Sequence, residues 1–454
     1  MQPPLPPRPP KFPPDPPKLP PLPIGLDEPL PFGEDIAIRL LSLDGGGIYG
    51  YTTACMLREL CETNDSFLLP WRSTAQSEES ADPQGEAEEA RGAKDAGSLP
   101  QPQDQPGAPW AYAGTSAGAL NALLMAKESN PREYVLAGEL QRFWQDRGTF
   151  AGPDNPLDWM LSWSGMTAWF GSKRYTEMLQ AHFGNRRLGD LPNRVIIMSF
   201  NWAGRDGGMS SGWRPKVFTN YPADNPDRDI EVYKVAYAAA APTGLRPIRW
   251  GLGDGGTSDP DPARAALMEV IKKLRRDDSP VPSFGAMARA EGVPHLAEKI
   301  GEAVHEAVAS LSRLPDLGVL QFIRVLSLGV AAKVPSYWQN HFNLGSMLFN
   351  SLPTNPPRGQ MWPPFWDIAI DAPTETSVHA CEVLLQDRYC RLDPPLLGPP
   401  QQPPTLAATM LARFPQWQEY LIQQQRAELQ SETALRALGE ARAFIDNGWK
   451  RPEP

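Results

Sequence analysis

Apolar segments of two kinds alternate along most of the chain. Short runs rich in Ile, Leu and Val are typical of buried strands, and they predict strands at 36–43, 110–113, 194–201, 216–220 and 322–329, with a further strand end at 252–253. Apolar residues three or four apart are typical of amphipathic helices, and they predict helices at 52–62, 117–127, 175–182, 232–241 and 263–276. Strands that alternate with helices predict an α/β fold with a largely parallel sheet.

Low-complexity segments divide this pattern. Thirteen of the first 23 residues are proline, so residues 1–33 are predicted to form an extended, disordered arm that serves as a spacer or docks on an SH3-like groove. Residues 72–108 contain almost no large apolar residues and predict a disordered insertion within a main domain at 34–395. Residues 396–454 are expected to form a proline-rich linker and one or two exposed helices.

Composition and charge exclude several classes of protein. The chain has 454 residues and is 41% hydrophobic, which is enough for a packed core, and its net charge of -10 argues against a nucleic-acid binder. Four cysteines are too few for a disulfide scaffold, and five histidines make a His-rich metal site an unfavourable hypothesis. No secretory signal or membrane-spanning segment is recognisable. We expect a soluble cytoplasmic protein, with export that needs no cleavable signal as the alternative.

A candidate nucleophile lies at a junction between a strand and a helix. Ser116 is the central residue of G-T-S-A-G, between a predicted strand and a predicted helix, which is the setting of a nucleophile elbow. Its oxygen would project at the helix N-terminus, where backbone N–H groups favour a developing negative charge. The same G-x-S-x-G pattern recurs at Gly208–Gly212, but Trp-Arg-Pro follows it, which predicts a hairpin loop instead of a helix.

A glycine loop follows the first predicted strand. Asp44–Gly50 reads D-G-G-G-I-Y-G, and consecutive glycines can turn their N–H groups toward one point and form an anion nest. The lysine of a phosphate-binding P-loop is absent, and the G-x-G-x-x-G spacing of a dinucleotide site is not met cleanly. The loop therefore suits the oxyanion of an acyl-transfer intermediate. Asp44 is expected to shape the loop by bonding the N–H groups of the loop itself.

A candidate general base lies later in the chain than the serine and the glycine loop. Asp254 begins a D-G-G triplet at a strand end, after the small-residue helix at 237–243. Another D-G-G begins at Asp206, in a polar loop without that context. A histidine that completes a Ser-His-Asp triad is the alternative, and the available positions are His305, His341 and His379.

These motifs together resemble those of the patatin-like phospholipases. The family's D-G-G-G-x-x-G, its G-x-S-x-G and its late D-G-G after A-A-P-T occur here in that order, within residues 36–395. The resemblance implies a three-layer α/β/α fold and a catalytic dyad, with Ser116 as nucleophile and Asp254 as base, and it implies no metal or cofactor. The backbone groups implied to hold the oxyanion belong to Gly45, Gly46 and Gly47.

The sequence departs from the family pattern in two places. Where the family continues the late D-G-G with a hydrophobic pair and A-N-N-P, this chain has Thr257–Pro262, which is expected to leave Asp259 and Asp261 beside the pocket. The family's later S-L-G-T-G is Ser327–Ala331 here, S-L-G-V-A. Neither change removes a member of the implied dyad.

The implied function is the release of fatty acids from phospholipids or lysophospholipids. The alternatives are an esterase or lipase for other acyl esters, and a non-catalytic lipid-binding adaptor on the same scaffold. The expected partners are a membrane phospholipid, contacted peripherally, and an activator protein. The tryptophan-rich segment at 158–170 either packs in the core or contacts lipid.

Overall fold

A mostly parallel sheet of seven strands forms the centre of the described part of the chain. The computed structural model describes residues 38–69, 108–146, 171–206, 209–210, 212–221, 225–243, 245–276, 323–330, 364–394 and 431–451, together with Leu320 and scattered residues within 155–170 and 419–430. The predictions for the proline-rich arm, for residues 72–107, for 396–418 and for most of 158–170 lie outside the described residues.

The observed elements follow the sequence pattern closely. The strands are β1 (Ile38–Leu43), β2 (Ala111–Thr115), β3 (Arg194–Asn201), β4 (Arg214–Thr219), β5 (Leu252–Asp254), β6 (Ile323–Leu328) and β7 (Tyr389–Leu392). The helices are α1 (Gly50–Thr63), α2 (Ala117–Ala126), α3 (Pro131–Leu136), α4 (Glu139–Gln145), α5 (Lys173–Phe183), α6 (Val232–Ala239), α7 (Ala263–Arg276), α8 (Pro364–Leu385) and α9 (Glu432–Asp446). Each predicted strand and helix is present within two residues at each end. The pattern did not predict α3, α4, α8 or β7.

The sheet order places the first strand near the middle. The order is β4–β3–β2–β1–β6–β7, and β5 pairs with β3 off this path. Strands β3, β2, β1, β6 and β7 run parallel to their neighbours, whereas β4 and β5 run antiparallel to β3. All parallel strands therefore end at one edge, and the loops after β1 and β2 meet there.

Alternating side chains divide the core between the two faces of the sheet. In β1, Leu41 and Leu43 join the core on one face, and Leu40 joins the core on the other. Helices α1 to α6 and α9 contribute to the first core, while α7 and α8 contribute to the second. Both faces are covered by helices, as the buried apolar strands of a parallel sheet require. The expectation of a three-layer α/β/α fold is confirmed.

Helix α9 corrects the expectation of exposed C-terminal helices. Its buried residues Ala434, Leu438, Ala441 and Ile445 recur every three or four positions, so one face of the helix packs against the core. Beyond the helix, Trp449 is fully buried. The C-terminal segment is therefore part of the globular domain.

Candidate active site

Ser116 sits on a sharp turn whose neighbours must be glycines. It joins β2 to α2 with φ 50° and ψ -117°, a backbone conformation that residues with a side chain rarely adopt. A Cβ atom at Gly118 would lie 1.9 Å from the Leu43 carbonyl oxygen, and one at Gly114 would lie 2.5 Å from the Gly118 oxygen. Glycine at both positions lets the turn pack directly against β1, which leaves Ser116 at the start of a helix.

The pairing of β3 brings Asp254 to this serine. Along one edge of β3, β2 ends with Thr115 opposite Met198, and β5 then continues on the same edge with Asp254 opposite Ser199. The other edge of β3 is occupied at these positions by β4. The residue that follows Thr115 therefore meets Asp254 directly.

The two side chains form a short hydrogen bond in a nearly dry site. The Ser116 hydroxyl donates to Asp254 Oδ2 at 2.7 Å, and Asp254 Oδ1 accepts from the Gly256 N–H at 2.8 Å. Ser116 is 8% exposed and Asp254 is 5% exposed. Burial raises the pKa of Asp254 to about 6, against the opposing effect of these two hydrogen bonds. At neutral pH the carboxylate is mostly ionised, yet it is a stronger base than an exposed aspartate.

The glycine loop lies against the serine. A Cβ atom at Gly45 would be 3.0 Å from the Ser116 Cβ, so the loop and the nucleophile are in contact. The Gly45 N–H donates to the Pro260 carbonyl at 2.9 Å, and it could serve an oxyanion only if that bond opened. Within the described residues, the N–H groups of Gly46 and Gly47 donate to no protein acceptor. These two groups are the better candidates for an oxyanion hole.

Three acids near the site are already bonded to other groups. Asp259 bonds Arg264 at 3.0 Å, and Asp261 is buried and accepts from the Ala263 N–H at 2.9 Å. Asp44 was expected to bond the N–H groups of its own loop, but its Oδ2 accepts instead from the Arg391 guanidinium at 2.6 Å. The local sequence pattern gives Arg391 no role, because its partner lies 347 residues earlier in the chain.

The alternative residues lie elsewhere or outside the described residues. Asp206 and Ser210 belong to a small separate hairpin in which Arg205–Asp206 pairs with Met209–Ser210. His379 is exposed on α8, and His305 and His341 lie outside the described residues. In the part of the chain that is described, no histidine contacts Ser116 or Asp254.

Two further features of the described residues concern a metal site and a membrane-spanning helix. Among the described residues there is no group of three or more His, Cys, Asp or Glu side chains arranged to hold a metal ion. The described helices also include none that combines the length and apolar character needed to cross a bilayer.

A serine on a strained strand–helix turn, bonded to a buried carboxylate, has the chemical groups that a serine hydrolase needs. Residues 109–267 match the family model described as Patatin-like phospholipase, a range that includes Ser116 and Asp254 but not the glycine loop. No curated protein matches the chain. The resemblance to that family is confirmed over residues 109–267, and this match supports a lipid acyl hydrolase in general.

The raised pKa of Asp254 predicts a conflict between activity and stability. Its pKa is about 6 in the folded protein and near 3.8 when exposed, so the folded state binds this proton more tightly than the unfolded state. The carboxyl then favours folding most below about pH 3.8, and this contribution is lost as pH rises through 6. An Asp254→Asn variant keeps an acceptor oxygen and carries no charge. We expect its free energy of unfolding at pH 8 to equal or exceed that of the wild type, by up to about 3 kcal/mol.

Urea denaturation of both proteins at pH 5 and pH 8 measures this effect. The advantage of the variant should be larger at pH 8. A variant that is less stable than the wild type at pH 8 would show that the ionised carboxylate is a net stabilising group.

Proposed function

We propose that the protein hydrolyses the acyl esters of phospholipids or lysophospholipids through Ser116, Asp254 and an acyl-enzyme intermediate. The hydrogen bond of 2.7 Å between these two buried side chains is the observation that carries the proposal. The contact of the glycine loop with Ser116 and the match to the phospholipase family model support it.

In the first half of the proposed reaction, Ser116 Oγ attacks the ester carbonyl carbon while Asp254 accepts the hydroxyl proton. The carbonyl oxygen becomes negatively charged and is held by backbone N–H groups of the glycine loop, with Gly46 and Gly47 the available donors. The intermediate collapses, the bond to the alcohol oxygen breaks, and Asp254 returns the proton to the leaving alcohol. Ser116 is left acylated.

In the second half, water takes the place of the alcohol. Asp254 accepts a proton from the water as the water attacks the acyl carbon, and the same oxyanion site holds the second intermediate. When this collapses, Ser116 Oγ leaves the acyl carbon and takes back the proton, and the fatty acid is released. Every proton passes through one carboxyl, so its pKa near 6 limits the working pH range.

An exposed aromatic surface near the site supports a lipid substrate. This aromatic rim consists of Trp202, Trp213, Ile248 and Trp250, and the last three are 73%, 40% and 50% exposed, respectively. The Trp202 and Trp213 rings lie 5.5 Å apart, and the backbone N–H of Trp202 donates to the carbonyl of Gly251, the residue after Trp250. Tryptophan favours the interface between lipid and water, so a phospholipid surface is the partner that this rim fits.

The rim stands at the sheet edge that carries the serine. Asn201, the last residue of β3, pairs with both Arg214 and Leu252, so the rim begins directly beyond the end of β3. Thr115, the residue before Ser116, lies level with Met198, three residues before Asn201, which corresponds to about 10 Å along a strand. The Lys234 ammonium, which forms an ion pair with Glu231, lies 6.0 Å from the centre of the Trp250 ring, where it can also meet a lipid phosphate.

The first prediction of this proposal concerns the dyad. Ser116→Ala and Asp254→Asn should each reduce fatty-acid release from mixed phospholipid micelles by roughly a thousandfold, because one removes the nucleophile and the other the base. The chain offers matched controls in its second copies of the motifs, since Ser210→Ala and Asp206→Asn should retain wild-type rates.

Each outcome of this assay has a distinct meaning. Activity that survives Asp254→Asn would assign the base to another residue. A wild type that cleaves short soluble esters but no phospholipid would be an esterase. A folded wild type that binds phospholipid vesicles and cleaves neither substrate would be the non-catalytic adaptor.

The second prediction concerns pH. Because Asp254 must be ionised to accept a proton, kcat/KM should fall about tenfold per pH unit below an apparent pKa near 6 and should level off above it. Burial also raises the pKa of Asp259 to about 6, so Asp259→Asn is the necessary control and should leave the profile unchanged. A profile that is flat from pH 4.5 to pH 8 in the wild type would rule out Asp254 as the base.

The third prediction concerns the aromatic rim. A Trp213→Ala/Trp250→Ala double variant should hydrolyse phospholipid vesicles at least roughly tenfold more slowly, because it has less apolar surface to insert. Its rate on a short soluble ester should stay within about threefold of wild type, since the dyad is untouched. Leu435→Ala, which removes a 48% exposed side chain on α9, is the control and should change neither rate. Equal losses on both substrates would assign the rim a structural role.

A further inference from the structure

Three neighbouring parallel strands carry a row of buried polar residues on one level. Ser42 of β1 is paired with Ser327 of β6, which is paired with Arg391 of β7. The two serines are fully buried, and the Arg391 side chain is 11% exposed. Strand interiors of a parallel sheet are ordinarily apolar, so this row needs a specific explanation.

The Arg391 guanidinium connects the ends of these strands. Its Nη1 donates to Ser327 Oγ at 2.8 Å, and its Nη2 donates to Asp44 at 2.6 Å and to Asp393 at 3.0 Å. Asp44 follows β1, which lies two strands from β7, a separation of about 9.6 Å. The side chain therefore crosses over β6. Just beyond β6, Gly329 leaves room for Asp393, one of the acceptors of Arg391, because a Cβ atom at Gly329 would lie 2.2 Å from Asp393 Oδ1.

The anchored residue, Asp44, is the first residue of the glycine loop. Its own N–H donates to the Leu328 carbonyl at 3.0 Å, and the next N–H, that of Gly45, donates to Pro260. The other carboxylate oxygen, Oδ1, is buried and has no hydrogen-bond partner among the described residues. The position of the Asp44 side chain therefore depends on the guanidinium.

The same cluster reaches the segment that follows the base. Asp261 Oδ2 lies 3.8 Å from Arg391 Nη1, and Asp261 Oδ1 accepts from the Ser42 hydroxyl at 3.3 Å. Pro260, the neighbour of Asp261, supplies the carbonyl that holds Gly45. The Arg391 guanidinium thus contacts both Asp44, which begins the glycine loop, and Asp261, which follows the Asp254 turn.

We propose that Arg391 is a positioning residue for ester hydrolysis, which acts through Asp44 to hold the glycine loop in register with Ser116. The proposal rests on the proposed function, because the loop matters to catalysis only if it binds the oxyanion. Arg391 bonds neither Ser116 nor Asp254, so its effect on the reaction passes through the glycine loop, which would hold the intermediate. A lysine at this position keeps the charge but cannot donate to Asp44, Asp393 and Ser327 in the same planar geometry.

The kinetic test compares Arg391→Lys, Asp44→Asn and the double variant on a short soluble ester. We expect each single variant to lower kcat roughly 10- to 100-fold, with KM within about threefold of wild type, because the loop binds the intermediate more than the substrate. The double variant should be no slower than the slower single variant, since both changes weaken the same contact, that between Arg391 and Asp44.

Arg324→Lys is the matched control for a purely structural effect. Arg324 is 6% exposed on the neighbouring strand β6, paired with Arg39 away from the site, and donates to the Gly448 carbonyl. Its variant should lose thermal stability and keep the wild-type kcat at temperatures where it is folded. Wild-type kcat in Arg391→Lys, or an equal loss of kcat in Arg324→Lys, would overturn the proposal.

Hydrogen–deuterium exchange tests the anchor independently of activity. Peptides that contain residues 44–50 should exchange faster in Arg391→Lys than in the wild type, and no faster in Arg324→Lys. If the wild type cleaves no ester, the proposed function fails, and the exchange result still decides whether Arg391 holds the loop. Unchanged exchange in Arg391→Lys would show that it does not.

Discussion

The candidate site depends on the sharing of one edge of β3 between two strands. Strand β2 pairs with the first part of that edge and β5 with the last part, so Thr115 and Asp254 occupy consecutive levels on the same side. Because β2 runs parallel to β3 and β5 antiparallel, both approach this point and stop there. Ser116 and Asp254 are 138 residues apart in the chain, yet their contact is fixed by backbone pairing, not by flexible loops. This rigidity suits a reaction in which the attacking oxygen and its base must stay aligned.

The same arrangement carries costs that the surrounding core must offset. Ser116 adopts a backbone conformation that is unfavourable for a residue with a side chain, and Asp254 keeps a charge in a site that is nearly closed to water. Both costs suit the proposed chemistry, since the strained turn presents the hydroxyl at a helix N-terminus and burial makes the carboxylate a better base. Close packing at Gly114 and Gly118 leaves the turn no room to relax.

The sequence could predict the features that depend on neighbouring residues. The ends of β1 and β2 and the helices that follow them are local patterns, and they agree with the structure within two residues. The helix before Asp254 is a local pattern as well, but α6 ends at Ala239, four residues before the end of the small-residue segment at 237–243. Asp44 shows the limit of such reasoning, because a bond to its own loop was the natural local expectation and its actual partner is on β7. The face of α9 was detectable, since its apolar residues recur at helical spacing, but nothing local showed which surface it covers.

The residues of the candidate site come from separate parts of the chain, so the proposed dyad alone does not make up the site. The range that matches the family model contains Ser116 and Asp254, whereas the glycine loop precedes it and the strands beside that loop, β6 and β7, follow it. Within one continuous sheet, the middle of the chain contains the two groups proposed to exchange protons, and the outer segments hold the loop that would receive the negative charge. A dyad without that loop could still transfer a proton, but it would leave the charged intermediate unsupported in a dry site. Hydrolysis would therefore depend on β1, β6 and β7 as well as on the serine.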